Sequence, residues 1–486
     1  MVIRRTTRSS TTESTDRQKT ARPTSAAPSM SLPVHQGDVD QPDGVLAATS
    51  KTRTASPASR HHSHIRFRIR KEGDSGRSGF HPRHFFRIAF WSSSKVSALV
   101  NILWPVVPAA LACRYALADS PRNHLITFIL SYIAMVPCAN MIGFAGQELA
   151  HKVPHVLGIL TETTVGSIVE IVLFHVLLKR GHYAVIQAAI LGSILATMLL
   201  CLGLCFFVGG VFRHEQQFSE TVSEAGTGLL LTAGFGLAVP TVFSHTLTSS
   251  GLTTEELASK TLNISRVSAI LLVVSYAFFV YFQTRSHHGI YEDVFEGDEA
   301  WVREHGAQEL DSDQSDPQTH VHARFTMTES IAALSVSVAL VSLIAISLVE
   351  EIDFIVERGV SDAFMGLILV PLVEKAAEHL TAIDEAWDNQ MNFALSHVLG
   401  ATLQTAMFTG PLVVLVGWGL HRPMGLDFEL FDIAVLILAI ITVGNFLRDQ
   451  KSNYLEGVLC VIVYISIAVA AFNYPEVKSS SSEGVD

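Results

Sequence analysis

Two glutamates stand at matching places in otherwise apolar stretches. Glu170 closes Glu162-Thr-Thr-Val-Gly-Ser-Ile-Val-Glu170, and Glu378 closes Val370-Pro-Leu-Val-Glu-Lys-Ala-Ala-Glu378. The segment Gly192-Ser193-Ile194-Leu195 begins 22 residues after the first, and Gly400-Ala401-Thr402-Leu403-Gln404 begins 22 residues after the second. An ionised carboxylate alone in an apolar helix is costly, so it normally faces a partner, an ion or a water-filled path. One such residue reads equally as a neutral structural acid, but two at equivalent positions of a repeat point to a shared ion site. Calcium takes about six to eight oxygen ligands in irregular geometry, which carboxylates, amides and carbonyls at broken helices can supply. Two facing carboxylates match its charge. The same pair takes up protons instead when no cation separates its like charges. A site that holds either passenger but not both is the physical core of an antiporter.

The elements that must position these residues are membrane spans. The chain has 486 residues, 49% hydrophobic and only 16% charged, which disfavours an ordinary water-soluble enzyme. Apolar segments near the length needed to cross a bilayer run over about 95–117, 123–147, 158–179, 184–210, 227–247 and 264–284. A second set covers about 327–349, 361–383, 392–418, 429–447 and 454–473. The fold class expected is therefore an all-α polytopic membrane protein with about eleven transmembrane helices. The third and eighth segments carry the glutamates and stand five places apart, an odd number, so they must cross in opposite senses. That makes an inverted repeat, an architecture that places substrate at the midplane and rocks one half against the other. The divisions expected are a disordered Ser/Pro-rich and basic tail (1–88), a first helix with the first repeat (95–284), an acidic loop (285–326), the second repeat (327–473) and a short C-terminal tail (474–486).

Charge is distributed unevenly. Residues 1–88 carry 16 Lys and Arg against 7 Asp and Glu, whereas the remainder carries 18 against 38. The basic cluster before the first span favours a cytoplasmic N-terminus and suits contact with membrane lipids. An acidic membrane body argues against a nucleic-acid partner. The gap from Tyr291 to Asp316 holds ten acidic residues with Arg303 as its one Lys or Arg, and after six crossings it returns to the cytosol. A solvated linker and a loose calcium-collecting surface are both open readings of it. The five cysteines all sit in apolar stretches and read as buried small hydrophobes. His175, His379 and His397 lie in or beside the same helices; each reads as a packing residue or, alternatively, as a ligand for manganese or zinc. No cofactor is expected. No ATP-binding motif is visible, so a proton gradient is the expected energy source.

At these residues the sequence resembles the vacuolar type of calcium/proton exchanger found in fungi and plants, within the cation/calcium exchanger superfamily. The resemblance covers about Val96 to Pro475 and rests on Gly166-Ser167-Ile168-Val169-Glu170, on Glu374-Lys375-Ala376-Ala377-Glu378-His379 and on Gly143-Phe144-Ala145-Gly146-Gln147-Glu148. It implies a lone first helix plus two inverted five-helix repeats, residence in the vacuolar membrane, and calcium leaving the cytosol in exchange for protons. By the same resemblance Ser167, Gln187, Ser193, Thr402 and Gln404 are expected to line the ion path beside Glu170 and Glu378. Each repeat of the family carries a Gly-Asn-x-x-Glu core, from which this chain departs. The Asn is Ser167 in the first repeat and Lys375 in the second, and the second Gly is Glu374. Three residues before Glu378 on a helix, Lys375 shares its face and can pair with it; pairing with Glu374 or extension to the interface are the alternatives. Three functions stay open: a calcium/proton antiporter, a transport-deficient regulatory homologue with Lys375 occupying the site, and an exchanger for manganese or zinc.

Overall fold

Inside a bilayer the chain must satisfy its own N–H and C=O groups, so apolar stretches of about 20 residues become helices. The computed structural model describes residues 76–91, 95–116, 120–153, 161, 164–211, 213, 215–247, 253–283 and 324–474. All eleven expected segments are helical among these residues, and nine of them are long and apolar enough to cross a membrane. The other two are the third and eighth, each interrupted in its middle, at Ser167 and at Lys375. The expectations for residues 1–75, for the acidic gap 291–316 and for 475–486 fall outside the described residues.

Ahead of the first span lies α1 (Pro82–Trp91), which begins inside the stretch 1–88 expected to be an unstructured tail and ends just beyond it. Its sequence turns Phe85, Ile88 and Ala89 toward the protein while Arg83 and Arg87 stay exposed, an amphipathic pattern that stabilises a helix on an apolar surface. Phe85 stacks on Phe325 at 5.3 Å, and the Asn101 amide donates to the carbonyls of Ala89 and Phe90, both at 2.9 Å. The first span comprises α2 (Lys95–Val100) and α3 (Val106–Ala116). The first repeat then runs through α4 (Pro121–Ala150), α5 (Ile168–Arg180), α6 (Tyr183–Leu195), α7 (Leu202–Val211), α8 (Glu220–Leu247) and α9 (Thr254–Tyr281). The second runs through α10 (Met327–Glu350), the short α11 (Ile352–Glu357) and α12 (Asp362–Phe364), then α13 (Val370–Glu374), α14 (Ala376–Trp387), α15 (Met391–Gln404), α16 (Gly410–Gly419), α17 (Leu430–Phe446) and α18 (Tyr454–Phe472). One small antiparallel pairing, β1 (Gln216–Gln217) with β2 (Lys451–Ser452), joins the loops after α7 and before α18.

The repeat is legible element by element. Glu170 and Glu378 lie 208 positions apart, and so do the breaks Ser167 and Lys375, the helix-ending residues Gly181 and Asn389, and the starts of α6 and α15 and of α7 and α16. Gly181 (φ 87°) and Asn389 (φ 64°) both take the left-handed conformation that ends a helix; glycine does so without strain and asparagine at little cost. Between α6 and α7, and between α15 and α16, the backbone widens into π-helical turns at Ala196–Cys201 and Thr405–Thr409. A third such turn, Met365–Leu369, precedes α13. Pro371 and Pro411 follow two of them, and a proline ring clashes with the carbonyl four residues back, so the ladder has to shift there. The Tyr132 hydroxyl donates to the Leu369 carbonyl at 2.8 Å.

Close backbone approach brings the halves together. A Cβ on Gly192 of α6 would stand 2.3 Å from the Leu367 carbonyl oxygen, and one on Gly366 would stand 2.6 Å from the Val185 oxygen. Small residues at such crossings are what permit tight helix packing in a membrane. At one end of the bundle Arg114 pairs with Glu350 at 2.7 Å, Arg180 also bonds Glu350, and His124 meets Glu351 at 2.7 Å. Glu350 and Glu351 thus serve to tie α3, α4 and α5 to the end of α10. At the other end the Phe325 amide donates to Glu148 at 2.9 Å.

Gly192→Ala should destabilise the protein by about 1–3 kcal/mol, because its methyl meets backbone with no room to relax. Gly400→Ala, whose Cβ would meet nothing within 4 Å, should be neutral or slightly stabilising. Thermal unfolding of the purified protein in detergent checks the pair, and equal destabilisation by both would contradict the packing described.

Candidate functional site

The two broken helices deliver the charged residues. Ser167 (φ −81°, ψ −4°) and Lys375 (φ −95°, ψ −2°) interrupt the hydrogen-bond ladder, so α5 and α14 each begin in the middle of the bundle. A helix N-terminus carries free N–H groups and a partial positive charge, which favours a carboxylate in the first turn. Glu170 and Glu378 occupy those first turns.

Lys375 joins them. Its Nζ lies 3.2 Å from Glu170 Oε2 and 3.3 Å from Glu378 Oε2, so one ammonium is shared by carboxylates from both repeats. The Lys375 and Glu170 side chains are only 2% and 1% exposed, while Glu378 is 30% exposed. Glu374, also buried, accepts a hydrogen bond from the Ser193 hydroxyl. Thr405 donates to Glu170 Oε2 at 3.2 Å, and the Gln404 amide donates to the Ser167 hydroxyl. Each repeat therefore supports the break of the other: α6 reaches Glu374, the end of α15 reaches Ser167, and the π-helical turn after it reaches Glu170. Glu170 Oε1 and Glu374 Oε2 are buried without a hydrogen-bond partner. Buried acceptors of this kind cost free energy unless water or a cation satisfies them. A methyl on Gly166 would come within 3.2 Å of Glu378 Oε1, so this glycine leaves the carboxylate its space.

Of the residues expected at the site, Glu170, Glu374, Lys375, Glu378, Ser167, Ser193 and Gln404 are brought together. Thr402 is buried next to them, but its hydroxyl donates to the Val398 carbonyl of its own helix at 2.6 Å. Gln187 is not brought to the cluster. Its amide donates instead to the Gly425 carbonyl at 3.1 Å and to Asp427 at 3.2 Å, because it sits one turn from the start of α6, close to the connection after α16. His397 pairs with Glu385 at 2.7 Å, and His379 Nε2 meets the Thr197 hydroxyl at 3.2 Å. Among the described residues no three His, Cys, Asp or Glu side chains gather closely enough to hold a metal ion by themselves. Sequence reasoning passed over Thr197 and Thr405, both of which contact the cluster's helices. Both are threonines separated by the repeat offset, and that identity was the available signal.

The family model described as sodium/calcium exchanger protein matches residues 123–285 and 329–473, one match in each half. Vacuolar cation/proton exchanger 3 of Oryza sativa subsp. japonica is 32% identical over 391 residues, covering 78% of this chain and 87% of that protein. The vacuolar calcium ion transporter of Schizosaccharomyces pombe is 29% identical, covering 80% and 88%. The solved structure of native YfkE superposes with a TM-score of 0.62 at 25% identity, covering 77% of this chain and all of that one. The match of the family model in both halves, together with 32% identity over 78% of the chain, places this chain in the vacuolar cation/proton exchanger family of membrane transporters, within the sodium/calcium exchanger superfamily.

Proposed function

We propose that this chain is a secondary antiporter that moves calcium out of the cytosol, into the vacuole, in exchange for protons, with its N-terminus on the cytosolic side. One observation carries the reading: Glu170 and Glu378, from opposite halves, hold a single cation between them, the Lys375 ammonium. A calcium ion taking that place would meet both carboxylates, the Thr405 hydroxyl and the otherwise unpartnered Oε1 of Glu170. Six or more oxygens are usual for calcium, so backbone carbonyls and water at the two breaks would complete the shell. Protons compete for the same oxygens, and occupancy by one passenger excludes the other. Rocking of one half against the other would then expose the shared site to each side in turn. The names of the relatives support both the cation/proton exchange and the vacuolar membrane.

Lys375 supports a second reading. An ammonium already bridging the two carboxylates is a tethered competitor for any cation, so the chain would serve as a regulatory homologue that keeps the fold without transporting. The two readings separate in proteoliposomes with an imposed pH gradient and calcium-45 outside. The exchanger reading expects proton-driven uptake that Glu170→Gln or Glu378→Gln lowers by at least about tenfold, the equivalent of about 1.4 kcal/mol of site binding. Uptake that persists in both variants would overturn it.

Lys375→Asn provides the complementary measurement. For an exchanger it should raise calcium affinity by removing the competitor, read as a lower half-saturating concentration. For a regulatory homologue the unaltered chain shows no uptake and Lys375→Asn restores it. Absence of uptake from both chains, with folding verified by thermal unfolding, would count against the exchanger reading.

A further inference from the structure

Away from the glutamates, two arginines share a cavity of about 400 Å³ lined by Leu262 and Arg266 of α9 and by Trp418, His421, Arg422 and Pro423 at the end of α16. The Arg266 guanidinium lies over the Trp418 ring, 5.1 Å from its centroid. Its Nε is buried without a hydrogen-bond partner, and its Nη1 makes one long bond, 3.4 Å, to Asn263 of its own helix. Neither Arg266 nor Arg422 has a carboxylate within ion-pairing distance among the described residues. The cost falls on Arg266, because a buried guanidinium donor left unmatched is expensive, while Arg422 stands exposed beside it.

The backbone is bent to bring them together. Helix α16 ends with the Arg422 amide donating to the Gly417 carbonyl at 2.8 Å and the His421 amide to the Trp418 carbonyl at 3.2 Å, the paired bonds of a Schellman ending. The left-handed residue this requires is usually glycine, but here it is His421 at φ 56°. A side chain in that conformation is strained, because its Cβ crowds the following carbonyl oxygen. The turn carries Arg422 back beside Trp418 and across from Arg266.

Depth identifies what the arginines face. Arg266 immediately precedes the outward-facing apolar residues of α9, among them Val267, Leu271, Val274 and Phe278, all exposed on the protein and therefore toward lipid. Trp418 is likewise exposed at the end of an apolar helix, where indole rings settle at the membrane boundary. The cavity thus opens at headgroup level, with an apolar track running from it toward the bilayer centre. Arginine presents a planar fork that matches phosphate oxygens, and its weak hydration suits such a site.

We infer that this cavity binds the phosphate of an anionic phospholipid, held by Arg266 and Arg422 above Trp418, with the acyl chains lying along α9. A lipid seated there would clasp α9 to α16. Helix α9 also packs its Tyr276 ring on Phe408 at 5.4 Å, within the π-helical turn that supplies Thr405 to Glu170. Lipid binding at this position would therefore bear on the rigidity of the turn beside the site.

The test uses the full-length protein in a neutral detergent, titrated with phosphatidic acid, with diacylglycerol of the same acyl chains, and with glycerol 3-phosphate. The thermal unfolding midpoint should rise by about 2 °C or more with phosphatidic acid. Diacylglycerol, which lacks only the phosphate, should produce no such rise, and Arg266→Gln with Arg422→Gln should abolish the response. Arg266→Lys, which keeps the charge but loses the fork, should retain a weaker one, about tenfold lower in apparent affinity. Arg83→Gln with Arg87→Gln on α1 serves as a control for non-specific charge and should respond as the unaltered protein does. An equal rise with glycerol 3-phosphate would identify a soluble-anion site and overturn the lipid assignment. A full response in the Arg266/Arg422 variant, read also as retained lipid by native mass spectrometry, would overturn the site itself.

Discussion

Taking a carboxylate or an ammonium out of water costs several kcal/mol per ion, and their attraction offsets this only where the geometry is good and the remaining polar atoms are satisfied. The bundle is arranged around that constraint. Lys375 reaches Glu170 and Glu378 at nearly equal distances, 3.2 and 3.3 Å, and both helices that carry the carboxylates begin at the site. Starting a helix there points unpaired N–H groups and a partial positive charge at the acids. The breaks at Ser167 and Lys375 are thus part of the electrostatics, and they also explain why these two helices are too short to count as continuous spans.

Breaking two central helices leaves the halves in need of other ties. The backbones compensate by approaching closely, Gly192 against Leu367 and Gly366 against Val185. Side chains cross between repeats at the breaks themselves, through Ser193 to Glu374 and Gln404 to Ser167. At the far ends the charges are partly exposed and pair locally, as Arg114 does with Glu350. Such pairs are worth little individually, but together they hold the ends of α3, α5 and α10 in register.

Much of the fold was readable from hydropathy, because a span announces itself by length and composition alone. The inverted repeat was readable from the single offset linking Glu170 to Glu378, which extends to Gly181 and Asn389. Interruption of the third and eighth segments was not, since neither Ser167 nor Lys375 is a strong helix breaker and the break depends on what surrounds it. The placement of Gln187 escaped for a related reason. Family pattern set it beside the path, but its position near the start of α6 puts it next to Asp427 rather than near the midplane. Lys375 illustrates the limit well. Helical spacing pointed to a pairing with Glu378, but the contact with Glu170 crosses between repeats and only tertiary structure supplies it. Residues 82–88 read as tail because their composition is basic, whereas the phase of Phe85, Ile88 and Ala89 makes them a helix.

The Glu374-Lys375 pair, standing where the resemblance implies Gly-Asn, leaves the formal charge of the cluster unchanged. Glu374 adds one formal negative charge and Lys375 one positive, so the four residues Glu170, Glu374, Lys375 and Glu378 sum to the same −2 as the two glutamates alone. A divalent cation would therefore still meet a matching charge, provided the ammonium moved aside within the cluster. Glu374 is the neighbour that could receive it: buried, adjacent in sequence, held by Ser193 through one oxygen and leaving Oε2 without a partner. Had lysine replaced the asparagine without the glutamate beside it, a cation entering would have left an ammonium with no counter-charge in a desolvated interior, at a cost of several kcal/mol. The presence of both substitutions makes displacement of Lys375 physically affordable, and it is why the exchanger reading survives a lysine at the centre of its site.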